Sequence, residues 1–545
     1  MSGKSGRIFD AVYGYIELNP VEFDLVNSPV FQRLHWIKQL GPLHTVFPSA
    51  QHSRFSHTLG VFYIVRKMIE HLKARQKKDK SGYEFRGTEE KELRFAALLH
   101  DIGHVPLSHV GERVLQDAAE EKIDAGQRPG KSKEGIDPFA FQERSWWRLF
   151  PDEKYHGGTR TKLHERLSAE MVLYNEEIDS ILSGVKGWKS RKARKKVREN
   201  IARIIVGMDL TNIPTLLLHS ELDADRLDYL LRDSFFTGVW YGKIELDYII
   251  SRLCIVRDKD GGANLCIENK GLQTVEHYIL GRFFLQTQVI FNRKVRLMDL
   301  LFVDVMRYMI EAGQGEEWVI MNLQQLRDCI KACKDKDKRE HLHTIYRYTD
   351  AEVFSKMRRL HEILDQKEKN SKPTPEESYI NDCIKTIMDG KVDEPVVSHT
   401  KLVDLQGQPD YVKSLETKAK EIAASVAGIY SERVKANVVV QEVMKYQKRM
   451  GHESDAEEPN REAVKIAYKN ADDTEQFKYA AESNATILGS LHDKALFLLN
   501  VYYIPPKHNV NDTADEANRQ KIREAFKPLV ETHFQSENER PCEPE

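Results

Sequence analysis

The run KELRFAALLHDIGH, Lys91 to His104, constrains the fold more than any other stretch: an apolar helix that ends in chemistry. Its aliphatic residues read as a deeply buried helix, and His100 and Asp101 stand side by side where Gly103 and Pro106 break it. Neighbouring helix residues diverge by about 100°, so one ion can be held by both only where the backbone turns. An imidazole and a carboxylate at such a turn are a candidate ligand pair.

Helical periodicity surrounds that run. Leu59, Phe62, Val65, Ile69 and Leu72 recur at spacings of three and four, which predicts a helix from near Ser56. The pattern resumes in LHERLSAEMVLYNEEIDSIL, IARIIVGMDL and LLLHSELDADRLDYLLRDSFFTGVWYG, and a long helix is predicted from about Val275 to Ala312. Short β-leaning pieces between Cys254 and Glu268 read as a hairpin, and ALFLLNVYYIPP as a strand stopped by Pro505 and Pro506. From Asp117 to Thr161 the pattern fails, so an insertion is expected at about 113–162, either a lid or partner surface or a neutral insertion. The expected architecture is mainly α: a helical core domain over 1–312 with small β elements. A mostly helical C-terminal region, 313–545, is expected to contain a short strand and is a candidate for an oligomerisation or regulatory role.

Composition narrows the partners. The chain has 545 residues with 41% hydrophobic content, ample for a large core, and a formal charge of −2, which leaves no global field to recruit nucleic acid or an acidic membrane. Six cysteines without a CxxC pair fit a reducing compartment, and no secretory core or membrane-length apolar run is present, so a cytoplasmic location is expected. The basic run SRKARKKVREN reads first as a solvated helix face, with a nucleotide-effector site or nucleic-acid contact as alternatives. Cys329 and Cys333 read as helix packing rather than a metal pair.

His57, His100, Asp101 and Asp225 form a mixed nitrogen and oxygen set suited to Mn, Fe, Co, Ni or Zn, and less typical of Mg. The lack of cysteine ligands argues against structural zinc. His104, His109, Glu112, His164 and Glu165 lie on or beside the same segments.

IFDAVYGYIELNPVEFDLVNSPVFQRLHWIKQLGPLHTVFPSAQHSRFSHTLGV, LLHDIGHVPLSHVGE, KLHERLS and HSELDADRLDYLLRDSFFTGV follow in that order. Over roughly residues 8 to 310 they resemble the HD-superfamily deoxynucleoside triphosphate triphosphohydrolases and their dGTPase-like bacterial relatives. The resemblance implies an HD-domain fold with His57, His100, Asp101 and Asp225 as metal ligands. It implies His104, His109, Glu112 and His164 as catalytic residues around the α-phosphate, Glu112 standing where some relatives have Asp. Arg54 and Arg282 match phosphate-binding positions, Gln39 and Leu40 a sugar-contacting segment, Tyr229 and Asp233 sugar contacts, and Arg226, beside Asp225, is a further substrate-binding candidate. Arg293 or Lys294 is a further source of charge in this scheme, and Gln286, Ile290 and Asn292 depart from His and Tyr residues of some relatives.

The implied reaction is metal-dependent hydrolysis of a dNTP to deoxynucleoside and tripolyphosphate, with Mg accompanying the substrate phosphates. His164 and His109 are the two candidate proton donors and Glu112 their orienting partner. Resemblance also implies a homo-oligomer (dimer, tetramer or hexamer), a nucleotide allosteric effector, and a role in antiviral dNTP depletion. Two alternatives stay open: the same centre acting on a nucleoside monophosphate, a cyclic nucleotide, an oligonucleotide or an alarmone, or a nucleotide-sensing regulatory module.

Overall fold

The computed structural model describes residues 5–124, 161–259, 261–312, 316–332, 344–404, 409–426, 431–442, 463–469, 475–482, 486–491, 494–507 and 512–534. An N-terminal hairpin, β1 (Gly6–Asp10) and β2 (Gly14–Leu18), leads to the long helices α1 (Arg54–Lys78) and α2 (Glu89–Leu99). Then come α3 (His109–Asp124), α4 (Leu163–Tyr174), α5 (Arg191–Ile205) and α6 (Ala224–Thr237). The fold is mainly α.

Leu59, Phe62, Val65, Ile69 and Leu72 are buried along α1 as their spacing requires, each contributing about 1.5–3 kcal/mol of apolar burial. That stripe lies against α2 and α6. The aliphatic face of α2, Leu93 through Leu99, is buried in the same core. Glu89, Glu90 and Glu92 occupy its first turn, where carboxylates complement the helix dipole.

Three expectations are corrected. Helix α2 ends at Leu99 rather than Gly103, with His100 as its C-cap. Gly103 serves a different purpose: a Cβ there would sit 2.3 Å from the Ser168 nitrogen and 2.4 Å from the His164 carbonyl, so it permits α4 to approach the turn. The predicted 275–312 helix is two helices, α7 (Leu272–Leu285) and α8 (Arg293–Glu311), separated by a π-helical turn over Gln286–Ile290. Asn292 caps α8 by accepting from the Lys294 N–H, which ends one helix and starts another where apolar periodicity alone shows no break. Finally, α3 runs to Asp124 with Val114, Leu115 and Ala118 buried, so the opening of the expected insertion is helical. Its remainder, 125–160, lies outside the described residues.

The Cys254–Glu268 hairpin is present as β3 (Leu253–Arg257) and β4 (Ala263–Glu268). Beyond α8 come α9 (Leu323–Ala332), which carries Cys329, then α10 (Asp350–Asn370) and α11 (Pro375–Asp389). Cys333 lies outside the described residues. The C-terminal part contains more β structure than the single expected strand. It comprises β5 (Val397–Asp404), α12 (Pro409–Ser425), β6 (Val434–Glu442), β7 (Lys465–Lys469), β8 (Glu475–Tyr479), β9 (Lys494–Tyr503) and α13 (Asp512–His533). The apolar run at β9 is the centre of an antiparallel sheet in the order β5-β9-β6. Ala495, Phe497, Leu499 and Val501 alternate onto one face and pack with Ile522 and Phe526 of α13 in a second core. Strand β7 pairs parallel with β4, so C-terminal residues extend the earlier hairpin's sheet. The larger core likewise takes in Tyr348, Leu360 and Ile384 from α10, α11 and the segment before them.

No helix among the described residues is long and apolar enough to cross a membrane. The basic run forms the outer face of α5, with Arg194 and Arg198 turned back onto Asp179 at 3.0 and 3.3 Å.

Candidate active site

Three helix ends meet at one point. His57 stands on the first turn of α1, His100 and Asp101 follow α2, and Asp225 is on the first turn of α6. His57 Nδ1 lies 2.7 Å from Asp228 Oδ2. A carboxylate accepts only, so Nδ1 carries the hydrogen and Nε2 is directed at Asp225 Oδ1, 3.0 Å away, and Asp101 Oδ2, 3.8 Å away. His100 Nδ1 donates to the Ala97 carbonyl at 2.9 Å. Its Nε2 is buried without a hydrogen-bond partner, 3.4 Å from Asp101 Oδ1. One atom each of His57, His100 and Asp101 lies within 4.8 Å of the others, while Asp225 falls outside that group and joins it through His57 Nε2. Two imidazole nitrogens and two carboxylates fit a divalent transition metal.

Buried charge supports this group from behind. Asp228 pairs with Arg232 at 2.9 Å, and Arg232 reaches Asp10 at the end of β1 at 2.8 Å. Helices α1 and α6 close over that pair only because residue 60 is glycine: a Cβ there would lie 1.9 Å from Asp228 Oδ1. Burial opposes charge on His57, yet hydrogen bonds with Asp225 and Asp228 overcome it and lift its pKa to about 10. Asp101 is held well below the usual carboxylate range; burial works against this, and Arg54, His100 and His104 prevail. Asp101 and Asp225 are both held ionised, as metal ligands must be.

One contact away lies a second cluster of His104, His109, Glu112 and His164. Asp101 Oδ1 is 3.4 Å from His104 Nε2. His104 Nδ1 is 2.6 Å from Glu112 Oε1, and its ring stacks on His164 at 3.8 Å between centroids. His164 Nδ1 faces the same carboxylate at 2.9 and 3.1 Å. His109 Nδ1 is 3.5 Å from Glu112 Oε2, and its side chain is 64% exposed while the other three are buried, so it stands at the mouth. Burial, then the neighbouring Arg54 and His164, push His104 down to about 3, which keeps it neutral. The glutamate at position 112 reaches three histidines despite its extra methylene.

The remaining predicted residues fall around these clusters, and the cations among them are partnered. Arg54 donates to Asp101 Oδ2 at 2.7 Å, Ser108 Oγ at 2.8 Å and the Gln39 carbonyl at 3.2 Å. Gln39 is buried with Oε1 lacking a hydrogen-bond partner, and Leu40 beside it is half-buried. Asp233 Oδ1 meets His52 Nε2 at 2.7 Å. Arg226 pairs with Asp223, Arg282 meets Glu221 at 2.5 Å, and burial pushes the Tyr229 phenol up to about 12. Arg293 and Lys294 sit apart from this ring, both on Glu394 at 2.9 and 3.1 Å.

Sequence reasoning missed Asp10, His52, Glu221, Asp228 and Arg232. Three had a signal: Asp228 and Arg232 are an i,i+4 acid–base pair inside LDADRLDYLLRD, and His52 lies five residues before His57. Asp10 and Glu221 had none, because their partners are distant in the chain.

The HD domain family model matches residues 54–135 of the chain, the segment that carries His57, His100, Asp101, His104, His109 and Glu112. Among its relatives, the uncharacterized protein YwfO of Bacillus subtilis is 29% identical over 300 residues, 54% of each chain. The deoxynucleoside triphosphate triphosphohydrolase SAMHD1 homolog of Dictyostelium discoideum is 31% identical over 238 residues, 44% of this chain and 38% of that protein. The chain spans about half the length of the curated relatives it matches. Its fold is similar to that of a phosphohydrolase from Bacteroides thetaiotaomicron, with a TM-score of 0.56 and 21% identity over 92% of this chain and 100% of that one.

Proposed function

We propose that this HD-domain protein is a metal-dependent phosphohydrolase, and that its substrate is a dNTP cleaved at the α-phosphorus to deoxynucleoside and tripolyphosphate. The observation that carries the reading is the 3.4 Å contact between Asp101 and His104, which joins a ligand set to a set of proton carriers. The names of the triphosphohydrolase relatives support the finer assignment of substrate.

His57, His100, Asp101 and Asp225 would hold Mn, Fe, Co, Ni or Zn, and such a cation supplies Lewis acidity and positive charge for the phosphoryl oxygens. The protein's own groups supply the rest. Glu112 fixes Nδ1 of His164, leaving the opposite nitrogen to transfer a proton to the departing 5′ oxygen, and His109 at the mouth is the second donor. His104, kept neutral and stacked on His164, orients that ring. Arg54, Arg226 and Arg282 are the phosphate contacts in this scheme, which requires substrate to compete with their present carboxylate partners. Gln39, Leu40, Tyr229 and Asp233 receive the sugar.

The test is product identification. Wild type and a His100→Ala, Asp101→Ala variant are incubated with four dNTPs and four NTPs, singly and mixed, across several divalent metals. Tripolyphosphate from wild type and none from the variant is the expected result. Phosphate or monophosphate products would replace the substrate assignment, and equal turnover by the variant would remove the metal site. Mixtures are included because nucleotide-activated turnover would be silent with single substrates.

A further inference from the structure

One carboxylate from the second half of the chain fastens two loops of the site. Asp350, the first residue of α10, is buried and accepts from the Lys38 N–H at Oδ2, 2.8 Å, and from the Leu107 N–H at Oδ1, 2.7 Å. Both partners lie outside its own helix. Lys38 leads directly into Gln39 and Leu40. Leu107 opens the turn between His104 and α3, and both Leu107 and Ser108 have positive φ, 60° and 55°. Among the described residues only Lys80 shares that conformation without being glycine, and non-glycine residues adopt it where their surroundings impose it.

Three side chains impose it. Ser108 Oγ donates to the Lys38 carbonyl at 2.6 Å and accepts from Arg54 Nε at 2.8 Å, so the turn is tied to the phosphate-facing arginine. Buried Arg33 donates to the Ile102 and His104 carbonyls at 2.7 Å each and to the Tyr348 carbonyl at 3.0 Å. The 102–108 loop is thus joined to 348–350 directly through Asp350 and indirectly through Arg33. The Glu112 N–H bonds the Ser108 carbonyl, so the exit of the turn sets the start of α3 and with it His109 and Glu112.

We infer that Asp350 is a positioning residue for the histidine–carboxylate cluster, holding the left-handed Leu107–Ser108 turn so that His109 and Glu112 meet His104 and His164. The inference rests on the proposed hydrolytic role of that cluster. It makes the chain beyond residue 312 part of the catalytic unit, since α10 lies against α8 and α11.

The test uses Asp350→Asn in the full chain, which keeps the shape but turns one acceptor into a donor facing an N–H. Hydrogen exchange is followed on peptides covering 36–41 and 101–112, with 224–237 as the internal control, alongside kcat, KM and metal content. The expected result is exchange faster by about tenfold in both loop peptides and unchanged in the control. In the same variant kcat falls about ten- to a hundredfold with KM and metal content preserved, the cost of misplacing reacting groups by a fraction of an ångström. Unchanged exchange at 101–112, or faster exchange with unaltered kcat, overturns the inference. If Asp350→Asn does not fold, Asp350→Glu, which keeps both acceptors on a longer arm, is judged by the same two readouts. Hydrogen exchange needs no turnover, so a wild-type chain that cleaves no nucleotide defeats the proposed reaction while the clamp is still decided.

Discussion

His57 and His100 each commit Nδ1 to a separate acceptor, Asp228 and the Ala97 carbonyl, whereas His104, His109 and His164 all converge on the single carboxylate of Glu112. The first arrangement fixes each ring with Nε2 turned into the cluster, as a ligand requires, and on His57 a cation would have to displace the proton shared with Asp225. The second places one carboxylate within reach of three rings and keeps them in register, with His104 neutral, which suits the positioning of proton-transferring groups. Residue composition is similar in the two clusters, so the difference in use comes from how the second nitrogen is anchored.

Removing the first cluster should have the largest effect. His100→Ala, Asp101→Ala is expected to lose bound metal, read by elemental analysis, and to lower turnover roughly ten-thousandfold or more, the scale for a residue acting within a catalytic unit. Turnover preserved with metal absent would dissolve the distinction between the clusters. Glu112→Gln should leave metal content intact and reduce kcat by about a hundred- to ten-thousandfold, measured under saturating substrate. A parallel loss of metal would mean that Glu112 belongs to the ligand set instead. Asp228→Asn should weaken metal affinity by about ten- to a hundredfold in a competitive titration, with kcat recovered at saturating metal. Identical affinity would show that anchoring Nδ1 of His57 is immaterial. At the small end, Lys195→Ala, Lys196→Ala on the exposed face of α5 should shift unfolding stability by no more than about 0.5 kcal/mol and leave both metal content and kcat alone. A change in kcat there would extend the site to a surface that neither cluster touches.

Much of the candidate site was legible because the proposed ligands and proton carriers sit at helix ends that announce themselves. The stripe on α1 locates His57, the aliphatic face of α2 delivers His100 and Asp101, and the periodic segment around Asp225 supplies the last proposed ligand. The supporting residues were less legible. Asp10 is an ordinary strand-end aspartate until Arg232, 222 residues later, is laid against it. The break at Gln286–Asn292 was hidden because apolar residues continue through it, and the decisive event is a local side-chain cap. Strands β7 and β8 are five residues each and make a sheet only because β4 offers an edge.

By itself the sequence determined a mainly helical fold, the helix that carries the His100–Asp101 doublet, and the chemical character of the ligand set, since periodicity and residue type are local properties. Tertiary structure alone decided which carboxylate each imidazole meets. It also decided that Arg54 faces Asp101 and that Asp350 reaches back to Lys38 and Leu107. Those pairings depend on the direction of a buried side chain across hundreds of residues, and a hydrogen bond lost over a few tenths of an ångström is not encoded in any local pattern.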